Sequence, residues 1–111
     1  MSDVGTIRPG QPGATLERVR SIVFAALDGR PVTVYLFGSW ARGEQRHSSD
    51  IDVAVDAPAA LPPGVMARVR EALEESTVPY RVDVVELRTA PPEFRDRVRR
   101  EGIAWTGSAS A

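Results

Sequence analysis

Three aspartates and a Gly-Ser pair are the residues of this chain whose types and spacing can do chemistry. In the stretch GSWARGEQRHSSDIDVAV, Gly38 and Ser39 are followed, after ten intervening residues, by Asp50-Ile51-Asp52. A third acid, Asp83, interrupts the later apolar run RVDVVEL. Aspartate is depleted in strands, and a buried carboxylate without a partner normally takes up a proton. Two carboxylates at i and i+2 on one strand face lie about 7 Å apart at Cα, near enough to share a cation and to repel each other without one. Salt bridges to Arg42 or Arg46 would account for the pair but not for Asp83, whose placement is equally odd. Three carboxylates at one sheet face suit hard divalent cations such as Mg²⁺, which keep positions open for phosphate oxygens. Facing a nucleoside triphosphate they would repel it, whereas two Mg²⁺ ions bridge the two sets of charges and clamp attacking and leaving oxygens. The combination points to phosphoryl or nucleotidyl transfer.

The Gly-Ser pair suits the other half of such a site. A strand ending in glycine lets the backbone approach a phosphate, while the Ser39 hydroxyl and the amides of the following turn donate hydrogen bonds to it. Alone the dipeptide marks ordinary turns; its weight comes from its distance to the aspartates. Other chemistries are excluded by composition. All fourteen basic residues are arginine, so no phosphate-binding or Schiff-base lysine exists, a bias that coding composition can explain. With no cysteine and one histidine, thiolate chemistry, disulfides and a His/Cys zinc site are excluded.

These residues must be positioned by a single small domain, since 111 residues allow one core and little more. Residues 1–13 read as a flexible leader, residues 14–106 as the folded domain, and 107–111 as a disordered tail. Leu16, Val19, Ile22, Val23, Ala26 and Leu27 recur at helical spacing, with Thr15 as the candidate N-cap and Gly29 as the stop. The β-branched and aromatic run from Val32 to Phe37 predicts a strand, Ser39 to Gly43 a short helical turn, and DIDVAVD a second strand. In that strand Ile51, Val53 and Val55 share one face while Asp50, Asp52 and Ala54 share the other. A helix from Gly64 to Ser76, a strand from Arg81 to Leu87 with Asp83 opposite in face to Val82 and Val84, and a helix from Pro92 to Gly102 complete the chain. The order α-β-α-β-α-β-α predicts an α/β (α+β) fold, a small mixed sheet flanked by helices.

Gly38-Ser39, Asp50-Ile51-Asp52 and Asp83 together resemble the signature of the DNA polymerase β-like nucleotidyltransferase superfamily. The wording GSWARG followed by SSDIDVAV, in so short a chain, is similar to its minimal nucleotidyltransferase (MNT) family, whose members include MntA-type antitoxins paired with HEPN-domain ribonuclease toxins. The resemblance spans about Thr15 to Trp105. It implies that Asp50 and Asp52 hold two Mg²⁺ ions, that Asp83 completes the metal site and helps deprotonate the attacking hydroxyl, and that Gly38 and Ser39 hold the triphosphate of ATP. Arg42 would neutralise phosphate charge, or else pair with a nearby acid. The implied reaction moves AMP from ATP to a hydroxyl, a tyrosine of a partner HEPN toxin, and silences it. A small-molecule acceptor such as an aminoglycoside is the alternative, although such enzymes usually carry an extra helical domain; a module that neutralises a toxin by binding alone is the other.

His47, in the loop before the aspartates, reads as a solvated side chain, because Asp83 already supplies a base. Trp40 reads as core packing or a partly exposed aromatic that could stack on a base. Arg95, Arg97, Arg99 and Arg100 read as a solvated helix face, with partner docking as the lesser reading, and Trp105 as packing back onto the domain. A net charge of −1 and no apolar run near ~20 residues argue against nucleic-acid binding and against a membrane span. The N-terminus lacks the basic and apolar regions of a signal peptide, so a cytoplasmic protein is expected.

Overall fold

A computed structural model describes residues 12–46 and 49–106. The expected leader, apart from its last two residues, the tail and His47 lie outside the described residues. Among the described residues four helices and four strands are present: α1 (Pro12–Leu27), β1 (Thr33–Phe37), α2 (Ser39–Arg42), β2 (Ile51–Asp56), α3 (Val65–Glu74), β3 (Val82–Glu86), α4 (Pro92–Glu101) and β4 (Ile103–Thr106), with a 3-10 turn at Leu87–Thr89. The strands form one mixed sheet in the order β3-β2-β1-β4. β1 is antiparallel to both β2 and β4, and β2 is parallel to β3, so α3 serves as the crossover that a parallel pair requires.

The period-2 pattern sorts the two faces of the sheet. Ile51, Val53, Val55, Val34, Leu36 and Val84 face α1 and α3, where Val19, Val23, Leu27, Val65 and Val69 close the main core. The helical stripe of α1 is buried as its spacing requires, with Val19 and Val23 fully inaccessible. On the opposite face Ala54 forms a smaller core with Leu87 and Val98, flanked by Tyr35, Phe37, Val85 and Phe94. α4 lies over this second face. It is fastened there by Val98, by an edge-to-face contact between Phe94 and Phe37 at 5.5 Å, and by a bidentate pair from Arg99 to Asp56 at 3.0 and 3.1 Å.

Three expectations need correction. Thr15 is not an N-cap: α1 starts at Pro12, and Thr15 is buried inside its first turns. Proline needs no intrahelical acceptor for a missing N–H and has φ already set for a first helical turn, so the helix extends two residues into the expected leader. The strand order gains a fourth member, since Ile103–Thr106 pairs with β1 and Trp105 stands opposite Val34. A Cβ at Gly102 would meet the Val98 carbonyl oxygen at 2.6 Å, so the reversal from α4 into β4 has room only for glycine. Third, β2 begins at Ile51, which leaves Asp50 at the strand entry instead of within it. Among the described residues, no helix is long and apolar enough to cross a membrane.

Candidate active site

The site forms where β1 ends, β2 begins and β3 runs alongside. Phe37 stands opposite Asp52 across the antiparallel pair, and Asp52 stands opposite Asp83 across the parallel one. Residues in register on neighbouring strands present side chains to the same face about 4.8 Å apart, so the two carboxylates are adjacent on the α4 side of the sheet. Asp52 is half-buried and its pKa is raised above the ordinary 3.8. Burial is the largest cause, followed by the charges of Asp83 and then Asp50, while Arg42 acts in the opposite sense. The four groups thus share one electrostatic neighbourhood.

Gly38 is shaped by Asp52. Its backbone, at φ 78° and ψ −157°, lies in a region that only glycine enters without strain. A Cβ there would run into the Oδ2 atom of Asp52 and lie 3.2 Å from its Cγ. The missing side chain is therefore what allows the end of β1 to lie against the carboxylate. Ser39 opens α2, whose short course is closed by Gly43; the amides of Ala41 and Arg42 donate to the Gly38 carbonyl at 3.1 and 3.2 Å. Arg42 donates to Glu44 at 2.9 Å with both side chains exposed, which is the ion pair with a nearby acid, and its charge acts on Asp52.

Asp83 is held by Arg81, two residues earlier on the same strand face, at 3.3 Å. Among the described residues no group of three or more His, Cys, Asp or Glu side chains is gathered closely enough to hold a metal ion. The expected three-carboxylate cluster is therefore drawn together only as far as the Asp52 and Asp83 pair with Asp50 nearby. Mutual repulsion and the pull of Arg81 on Asp83 oppose a tighter grouping. The donor chemistry nonetheless fits a hard divalent cation: the ligands are carboxylate oxygens, and the burial and neighbouring carboxylate charges that raise the Asp52 pKa disfavour an anion that a cation would stabilise.

Trp40 is buried, with its indole N–H donating to the Ser49 carbonyl at 3.3 Å and its ring edge-to-face with Tyr80 at 5.0 Å. Core packing is the reading that holds. The hydrogen bond adds a role that sequence reasoning missed, since it ties the helix after the Gly-Ser pair to the residue just before Asp50. The Ile51 amide, donating to the Arg81 carbonyl at 2.9 Å, ties the same entry to the start of β3. A cleft of about 560 Å³ opens beside Gly38, with Phe37 and Arg42 on one side and Phe94, Arg97 and Glu101 of α4 on the other. The arginines of α4 have separate duties: Arg99 pairs with Asp56, Arg95 donates to the Arg88 carbonyl at 3.0 Å, and Arg97 lies over the Phe94 ring at 5.9 Å.

Residues 22–106 match the family model described as Polymerase beta, Nucleotidyltransferase. The "probable protein adenylyltransferase MntA" of Haemophilus influenzae is 35% identical over 68 residues, 61% of this chain and 60% of that protein, so the chain spans somewhat less than two thirds of that relative's length. A solved minimal nucleotidyltransferase is 34% identical with a TM-score of 0.67, covering 86% of this chain and 98% of that one. A crystal structure of a toxin-antitoxin with AMP-PNP is 29% identical with a TM-score of 0.64, covering 80% and 73%.

Proposed function

The chain belongs to the polymerase beta nucleotidyltransferase family, and from that premise we propose that it transfers AMP from ATP to a tyrosine hydroxyl of a partner HEPN toxin in the cytoplasm, silencing the partner. The observation that carries this reading is the join between Gly38 and Asp52. A backbone that only glycine can adopt is pressed against Asp52, whose pKa is raised, with Asp83 in register beside it. Similarity to a protein adenylyltransferase and to a toxin-antitoxin holding an ATP analogue supports the nucleotide, the reaction and the partner.

In this reading the chain's residues divide the work. Gly38 and Ser39 hold the triphosphate through the close-approaching backbone and the Ser39 hydroxyl. Arg42 turns from Glu44 toward phosphate oxygens, at little cost because an exposed pair of this kind contributes ~0–1 kcal/mol. Asp50, Asp52 and Asp83 would hold two Mg²⁺ ions, which when bound supply Lewis-acid polarisation and charge neutralisation at the phosphates. Asp83 accepts the proton of the acceptor hydroxyl once Arg81 releases it. The hydroxyl oxygen then attacks the α-phosphorus, the bond to the β-phosphate oxygen breaks, and pyrophosphate leaves. In-line displacement requires attacking and leaving oxygens on opposite sides of the phosphorus.

Incubating the protein with ATP, Mg²⁺ and the product of the adjacent gene, the expected HEPN-type partner, tests the assignment. Mass increments of one or more adenylates on the partner are expected. Partner that stays unmodified while ATP is bound would remove the protein-acceptor reading and leave a small-molecule acceptor or a binding-only role.

A further inference from the structure

The cleft beside Gly38 contains a cation that sequence reasoning left on a solvated helix face. Arg97 sits one turn from Phe94 on α4 and its guanidinium rests over that ring, which limits the directions it can take. Phe94 in turn packs edge-on against Phe37, the residue opposite Asp52 and immediately before Gly38. A continuous chain of contacts therefore runs from the Asp52 strand pair through two aromatic rings to Arg97. Arg42 of α2 and Arg97 of α4 line the same cleft as Gly38. Glu101 is the one acid of that lining and leaves a net charge of +1 there.

We propose that Arg97 is a second phosphate-binding residue, which contacts the β- and γ-phosphates of ATP from α4 and makes the site select triphosphates over monophosphates. This rests on the nucleotidyl-transfer reading of the site and names a residue that reading does not assign. Arg42 reaches this cleft from α2 and Arg97 from α4, so a triphosphate entering beside Gly38 meets a second cation in addition to Arg42. Arginine suits it, because its planar fork can donate two hydrogen bonds to one phosphate while its face rests on the aromatic ring. Glu101 lies one turn further along and opposes the anion, so removing its charge strengthens the same contact.

Calorimetric titration of the full chain with ATP and with AMP, each with Mg²⁺, tests this in Arg97→Gln, Arg97→Lys and Glu101→Gln. Arg97→Gln is expected to weaken ATP binding about tenfold or more and AMP binding less than about twofold, as loss of a charge-assisted hydrogen bond requires. Arg97→Lys recovers part of the loss, and Glu101→Gln tightens ATP. Equal weakening of both nucleotides, or none, overturns the assignment of Arg97. Failure of the unaltered protein to bind ATP at all removes the function reading itself, which is a separate outcome.

Discussion

A methyl group at position 38 would occupy the space of the Asp52 carboxylate and would also force a backbone that L side chains avoid. Gly38→Ala is therefore expected to lose about 1–3 kcal/mol of stability in denaturant unfolding and to lower adenylate transfer about a hundredfold, because Asp52 must move. Asp52 itself shows the opposite coupling. Burial and the charges of Asp83 and Asp50 raise its pKa above 3.8, so the native state binds this proton more readily than the unfolded chain does. Its contribution to stability is then present at low pH and lost as pH rises from 3.8 through the raised value. Asp52→Asn removes that pH-dependent penalty. It is expected to melt above the parent at pH 7, with the difference vanishing below pH 3.8, while transfer falls about a thousandfold or more. Thermal melts across pH, set beside the transfer assay, check both halves.

Between elements, the site depends on how α2 and α4 are fastened to the sheet. Trp40→Phe keeps the aromatic contact with Tyr80 but loses the indole donor to Ser49, a hydrogen bond of about 0.5–1.5 kcal/mol, and frees the strand entry that carries Asp50. A lowered kcat with intact ATP binding is the expected signature, read by steady-state kinetics. Val98→Ala leaves a void under α4 and is expected to cost about 2 kcal/mol in denaturant unfolding. Much of this arrangement was legible in the sequence. Alternation in DIDVAVD and RVDVVEL separates apolar from acidic faces, and that alone puts Asp52 and Asp83 on one side of the sheet. β4 was not legible, since four residues after a helix carry too short a pattern to distinguish a strand from a packed tail. Nor was the Trp40 tether, which depends on a backbone carbonyl nine residues away, or the cleft position of Arg97. Phe94 and Val98 mark the buried face of α4, but only the packed structure shows that its edge borders Gly38.

For the molecule as a whole, the sheet separates stability from chemistry. α1 and α3 seal one face with the main core, whereas the acids lie on the other face beside the smaller core that α4 covers. Substitutions of Asp52, Asp83 or Arg97 are therefore expected to leave the fold intact, and near-unchanged far-ultraviolet circular dichroism would confirm that losses in transfer are chemical. Nucleotidyl transfer at Asp52 is tested by supplying the protein and the proposed HEPN-type acceptor with ATP labelled at either the α- or the γ-phosphate. α-Label, and no γ-label, is expected in the acceptor protein, with pyrophosphate released and the signal lost in Asp52→Asn. Label from the γ-phosphate, or equal α-label transfer by Asp52→Asn, would contradict it.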